Sequence, residues 1–66
     1  MKITVNGEQR NLAQKVSLLE FLNQNKINLN VVVVEYNYDI VDREKWQDVT
    51  LADGDNLEIL QFVGGG

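Results

Sequence analysis

Three consecutive glycines, Gly64-Gly65-Gly66, place a backbone without side chains ahead of the α-carboxylate of Gly66. Such an arm can enter a narrow active site, because no Cβ limits its approach or its φ/ψ range. Residues 64–66 are therefore expected to be a flexible glycine tail on a body spanning residues 1–63, and the Gly66 carboxylate is expected to be a substrate for another protein. Little else in the chain could do chemistry. With no Cys and no His, the usual nucleophile, the usual general base and the ligand sets of iron–sulfur or common zinc sites are missing. The chain is expected not to be an enzyme, with no catalytic residue, no metal site and no cofactor of its own.

Weaker signals lie upstream. Asp53 and Asp55 flank Gly54, but the other ligands of a calcium loop are absent, so they read as turn residues. Trp46 near Arg43 could serve recognition; a single Trp in so small a domain reads better as packing. Leu60 and Phe62 share one face of the last strand, opposite Leu57 and Ile59. If that face is outward, Leu60, Phe62 and Val63 form an apolar docking surface beside the tail. Strand phase leaves Val33 with the same two options.

The elements that position the tail follow from spacing. Lys2-Ile3-Thr4-Val5 alternates polar with apolar and meets Asn6-Gly7, the dipeptide that best tolerates the positive φ values of a two-residue hairpin turn. A partner strand should run from about Glu8 to Leu12. Ser17 and Glu20 have the spacing of a capping box, Val16 and Phe21 that of its hydrophobic staple. Leu18, Phe21 and Leu22 then share one face of a short helix. Val31 to Val34 is a β-branched run suited to a strand, with Val32, Val34 and Tyr36 facing inward. Asn37-Tyr38-Asp39 should turn into a brief strand at Ile40-Val41, and Asp42 to Trp46 form a single irregular or helical turn pinned by Trp46. Asp53-Gly54-Asp55 precedes the final strand, Asn56 to Val63. The order ββαβββ fits an α+β fold, a mixed sheet of four to five strands wrapped on one helix, with the terminal strand central and parallel to the first.

Composition bounds the remaining possibilities. A chain of 66 residues supports one core, because a domain of this size buries only about 60% of the surface its unfolded form exposes. Ten acidic residues oppose six basic ones, and eight of the ten lie from Glu35 onward. That balance disfavours nucleic acid, which needs clustered Lys or Arg; it reads first as solvated charge kept for solubility and also suits a basic face on another protein. No targeting segment and no apolar run long enough for a membrane helix is present, so a cytoplasmic protein without membrane contact is expected.

The residues also resemble a family, the ThiS sulfur carriers of thiamine biosynthesis, which are ubiquitin-like β-grasp proteins. The likeness runs through Met1 to Glu8, Ser17 to Leu22, Val32 to Asn37, Ile40-Val41, Arg43-Glu44-Lys45-Trp46, Asp53-Gly54-Asp55, Leu57 to Ile59 and Val63 to Gly66. Asp42 stands where the family often has Pro, and Tyr38 where it often has Gly. The resemblance implies that a ThiF-like adenylating enzyme, using ATP and Mg²⁺, activates Gly66. A sulfurtransferase or persulfide donor then converts it to a thiocarboxylate, and a ThiG-like thiazole synthase receives the sulfur. Gly64 and Gly65 would thread the partner's active site. Two other readings stand beside it: a carrier for molybdopterin synthesis or a ubiquitin-like modifier, and a β-grasp interaction module whose tail is never activated.

Overall fold

The chain begins as a hairpin because Asn6 and Gly7 take φ values of 50° and 83°. This all-positive turn matches the right-handed twist of the flanking strands. It joins β1 (Lys2–Val5) to β2 (Glu8–Asn11), with Val5 opposite Glu8. The structure, a computed structural model, describes residues 1–62.

Helix α1 (Leu18–Gln24) starts as the sequence predicts. The Glu20 amide donates to Ser17 Oγ at 3.0 Å, and the Ser17 amide donates to Glu20 Oε1 at 2.9 Å. Hydrogen bonding to Ser17, first from its backbone amide and then from its side chain, holds the Glu20 carboxyl below its usual value. Leu18, Phe21 and Leu22 are buried, and Val16 joins them in the core. The helix ends where Asn23-Gln24-Asn25 offers no further apolar residue to the core.

A short 3-10 turn (Leu29–Val31), capped by Asn28, then leads into β3 (Val32–Tyr36). The third strand thus begins one residue later than its β-branched run suggests, because Val31 closes the turn by donating to the Asn28 carbonyl at 3.2 Å. The next strand, β4 (Asp39–Ile40), begins one residue earlier than expected. Asn37 and Tyr38, at φ 49° and 75°, form a two-residue turn that sets Asp39 opposite Tyr36. A second 3-10 segment (Arg43–Asp48) carries Trp46 into the core, where its Nε1 donates to the Val41 carbonyl at 3.0 Å.

The last strand, β5 (Asn56–Gln61), lies at the centre of a five-stranded sheet in the order β2-β1-β5-β3-β4. It runs parallel to β1 and antiparallel to β3. Ile3, Val5, Val34, Leu57 and Ile59 point to the side where Leu18, Phe21, Leu22, Trp46 and Leu51 complete one core. Val32 and Tyr36 pack against that core from the sheet, as their spacing predicts. This is the β-grasp arrangement, with the single helix on one face of a mixed sheet.

Candidate functional site

The end of β5 is the part of the fold that bears on the tail, and it is held from both sides. Toward β3, Val33 lies opposite Leu60 and Val32 opposite Gln61, and the Phe62 amide donates to the Val31 carbonyl at 2.7 Å. Toward β1 the last backbone bond runs from the Asn6 amide to the Leu57 carbonyl at 2.9 Å, and from there the Asn6 side chain takes over. Its Oδ1 accepts from the Ile59 amide at 2.7 Å, and its Nδ2 donates to the Ile59 carbonyl at 3.2 Å. One amide side chain thus imitates a strand residue, which keeps β5 paired for two more residues. Asn6 reads in the sequence only as half of a turn. Its partner lies 53 positions away, beyond any local pattern.

Beyond Phe62 the chain leaves the described residues. Val63, Gly64, Gly65 and Gly66, the expected docking and sulfur-carrying positions, lie outside them. Leu60 and Phe62 do not, and both stand on the face away from the core with 50% and 60% of their surface exposed. Val33, half-buried, shares that face with Leu60 by register. Leu60 and Phe62 thus form an exposed apolar surface, continued across the sheet by exposed Ile40.

Between Ile40 and the β5 backbone runs an acidic row. Ile40 lies opposite Glu35, and Glu35 lies opposite Glu58, so all three side chains share the outer face. Neither glutamate stands out in the sequence, because their meeting depends on the β3–β5 register.

The remaining candidates are structural. The Asp53 carboxylate accepts from the Lys2 amide at 2.7 Å. Asp55 is buried and accepts three bonds, from the Tyr36 hydroxyl, the Asn37 side-chain amide and the Ala52 backbone. Trp46 is core, and Arg43 reaches the Asn30 side-chain oxygen at 3.0 Å. Among the described residues, no three acidic, His or Cys side chains gather as a metal site, and no helix is long and apolar enough to cross a membrane. A shallow depression between α1 and the second 3-10 segment, lined by Leu19, Leu29, Arg43, Glu44 and Gln47, faces away from the sheet patch.

Comparison with known proteins agrees with this geometry. The ThiS family matches residues 3–66. The crystal structure of a thiamine biosynthesis protein, ThiS, from Geobacter metallireducens superposes with a TM-score of 0.86 at 36% identity, covering 100% of both chains. The sulfur carrier protein ThiS of Bacillus subtilis (strain 168) is 36% identical over 50 residues, 76% of this chain and 76% of that protein. A thiazole synthase of Paramagnetospirillum magneticum is 38% identical over 66 residues, all of this chain but 20% of that protein's length.

Proposed function

The chain belongs to the ThiS family, the sulfur carriers of thiamine biosynthesis, and on that premise we propose that it carries sulfur as a thiocarboxylate on Gly66. A carboxylate is a poor acyl donor until one oxygen becomes a good leaving group. A ThiF-like enzyme supplies that activation: a Gly66 oxygen attacks the α-phosphorus of ATP, the α–β anhydride breaks, and pyrophosphate departs. Mg²⁺ at that enzyme's site neutralises the developing phosphate charge. The terminal sulfur of a persulfide, held by a sulfurtransferase, then attacks the acyl carbon and AMP leaves. A thiol cleaves the resulting acyl disulfide, becoming a disulfide itself and releasing the Gly66 thiocarboxylate. A ThiG-like thiazole synthase accepts the sulfur.

Each part of the chain has a role in this scheme. With no thiol anywhere in the sequence, cargo sulfur has the C-terminal carboxyl group as its attachment point. Four residues follow Phe62 and, fully extended, reach at most about 14 Å. Gly64 and Gly65 pass through the enzyme's narrow entrance, while Leu60, Phe62 and Val63 dock at its rim. On this reading the protein works in the cytoplasm, and ATP and Mg²⁺ belong to the adenylating enzyme.

The observation that carries the reading is the family match through residue 66, supported by the paired end of β5. Thiazole synthases that align with the whole chain favour a thiazole client over a pterin synthase or a modified protein. Deleting Gly65 and Gly66 tests it. Sulfur transfer is expected to vanish while the thermal midpoint stays in place, since glycine has no side chain to bury. Transfer that survives the deletion would move the chemistry elsewhere.

A further inference from the structure

On the outer face of the sheet, Glu35 and Glu58 are direct neighbours across β3 and β5. Side chains so paired have Cβ atoms about 4.5–5.5 Å apart, and like charges there destabilise a sheet. Among the described residues, the neighbouring strand positions supply no cation. Ile40 flanks Glu35 from β4, Val33 and Leu60 form the next outward pair toward the tail, and Asn37 and Asn56 lie at the other end. Asn6, beside Glu58 on the β1 side, spends its amide on Ile59. Two carboxylates thus sit together at the centre of a sheet, beside an exposed apolar patch, without a basic strand neighbour.

We propose that the Glu35–Glu58 pair receives an arginine from the adenylating enzyme, so that this pair, and not the apolar patch alone, selects the partner. The inference rests on the carrier reading above. A guanidinium presents five donors in a planar fork, enough to bond both carboxylates at once, whereas an ammonium is a point charge. Ile40, Val33 and Leu60 offer apolar surface for the arginine stem. Charge also decides against a second copy of this chain. Face-to-face pairing would bring four glutamates together between molecules of net charge −4 each.

The test is the kinetics of pyrophosphate release by the purified adenylating enzyme, with the full chain as the varied substrate. The Glu35→Gln/Glu58→Gln variant should raise KM about tenfold at low salt, as expected for a desolvated charge contact. Its kcat should be unchanged, because the tail chemistry is intact, and the rise of KM with salt should flatten. Removing the repulsion should keep the thermal midpoint at or above that of the parent, which separates the effect from unfolding. Glu44→Gln, on the helical side, should leave KM where it was. A double variant with KM within twofold of the parent and the same salt dependence overturns the inference while leaving the carrier reading intact. Self-association of the parent that strengthens on Glu→Gln substitution assigns the face to a second copy and also overturns it. An unaltered chain that is never adenylated removes the carrier reading and this inference together.

Discussion

The Tyr36 hydroxyl donates to Asp55 Oδ2 at 2.8 Å, joining the end of β3 to the residue just before β5. Asn37 Nδ2 reaches the other Asp55 oxygen at 3.1 Å, and the Asn37 carbonyl oxygen of the side chain accepts from the Asn56 amide at 2.8 Å. A buried carboxylate is costly unless its lone pairs are satisfied, and here three donors satisfy it. The network fixes the β3–β5 register on which both the apolar patch and the glutamate pair depend. Asp55→Ala should therefore cost about 2–3 kcal/mol, and Tyr36→Phe about 1–1.5 kcal/mol, from lost charge-assisted bonds. Urea unfolding measures both. A cost near zero for Asp55→Ala would mean that water replaces the network without loss.

The same contact predicts an alkaline limb of stability. Burial first, then the bond to Asp55 and its charge, hold the Tyr36 phenol above its ordinary value of 10.0. The unfolded chain thus releases this proton first as pH rises. The contribution is complete below pH 10.0 and is lost as pH climbs through the folded-state value. Unfolding free energy should fall more steeply above that pH in the parent than in Tyr36→Phe. Parallel slopes would show that the phenol ionises alike in both states.

Tyr38 is a bulky residue at φ 75°, 77% exposed, in the second position of a two-residue turn. The left-handed region costs a non-glycine residue roughly 1–2 kcal/mol, and Asn-Gly is the favoured pair for this turn. Tyr38→Gly should accordingly raise stability by about 1 kcal/mol, despite glycine's greater unfolded-state entropy. Asp42, by contrast, sits at φ −62°, a value that proline shares. Both backbone geometries are those of the residues that the family resemblance leads one to expect at these positions. Chemical denaturation of the Gly variant decides, and a loss of stability would mean that the tyrosine ring packs well enough to outweigh its strain.

What the sequence reveals, and what it hides, divides by the range of the interaction. The Asn6-Gly7 turn, the Ser17–Glu20 capping box and the alternation of Leu57, Ile59, Leu60 and Phe62 are local, so residue type and spacing display them. The parallel pairing of β1 with β5 follows from the element order and the need to cover one helix. Asp55 reads as an ordinary turn residue because Tyr36 and Asn37, 19 and 18 positions upstream, supply its partners only once β3 lies beside β5. Asn6 hides its second role for the same reason. The Glu35–Glu58 pairing requires the register itself, since a slip of one residue in either strand would turn its glutamate to the other face.

Leu60 and Phe62 are exposed, and exposed side chains on a sheet face contribute little to folding compared with core residues. Leu60→Ser and Phe62→Ser should each change stability by less than about 1 kcal/mol while raising the KM of the adenylating enzyme at least about tenfold, the scale of an interface anchor. Equal KM values for parent and variants, with folding intact, would remove the patch from the docking surface.

The most direct measurement is the mass of the full-length chain after incubation with ATP, Mg²⁺, a ThiF-like enzyme, a persulfide-loaded sulfurtransferase and a thiol. The account predicts a gain equal to the difference between one sulfur and one oxygen, located by fragmentation at Gly66 and absent when ATP is omitted. An unchanged mass under conditions in which the same enzymes load an authentic carrier, or sulfur located on any other residue, would contradict it.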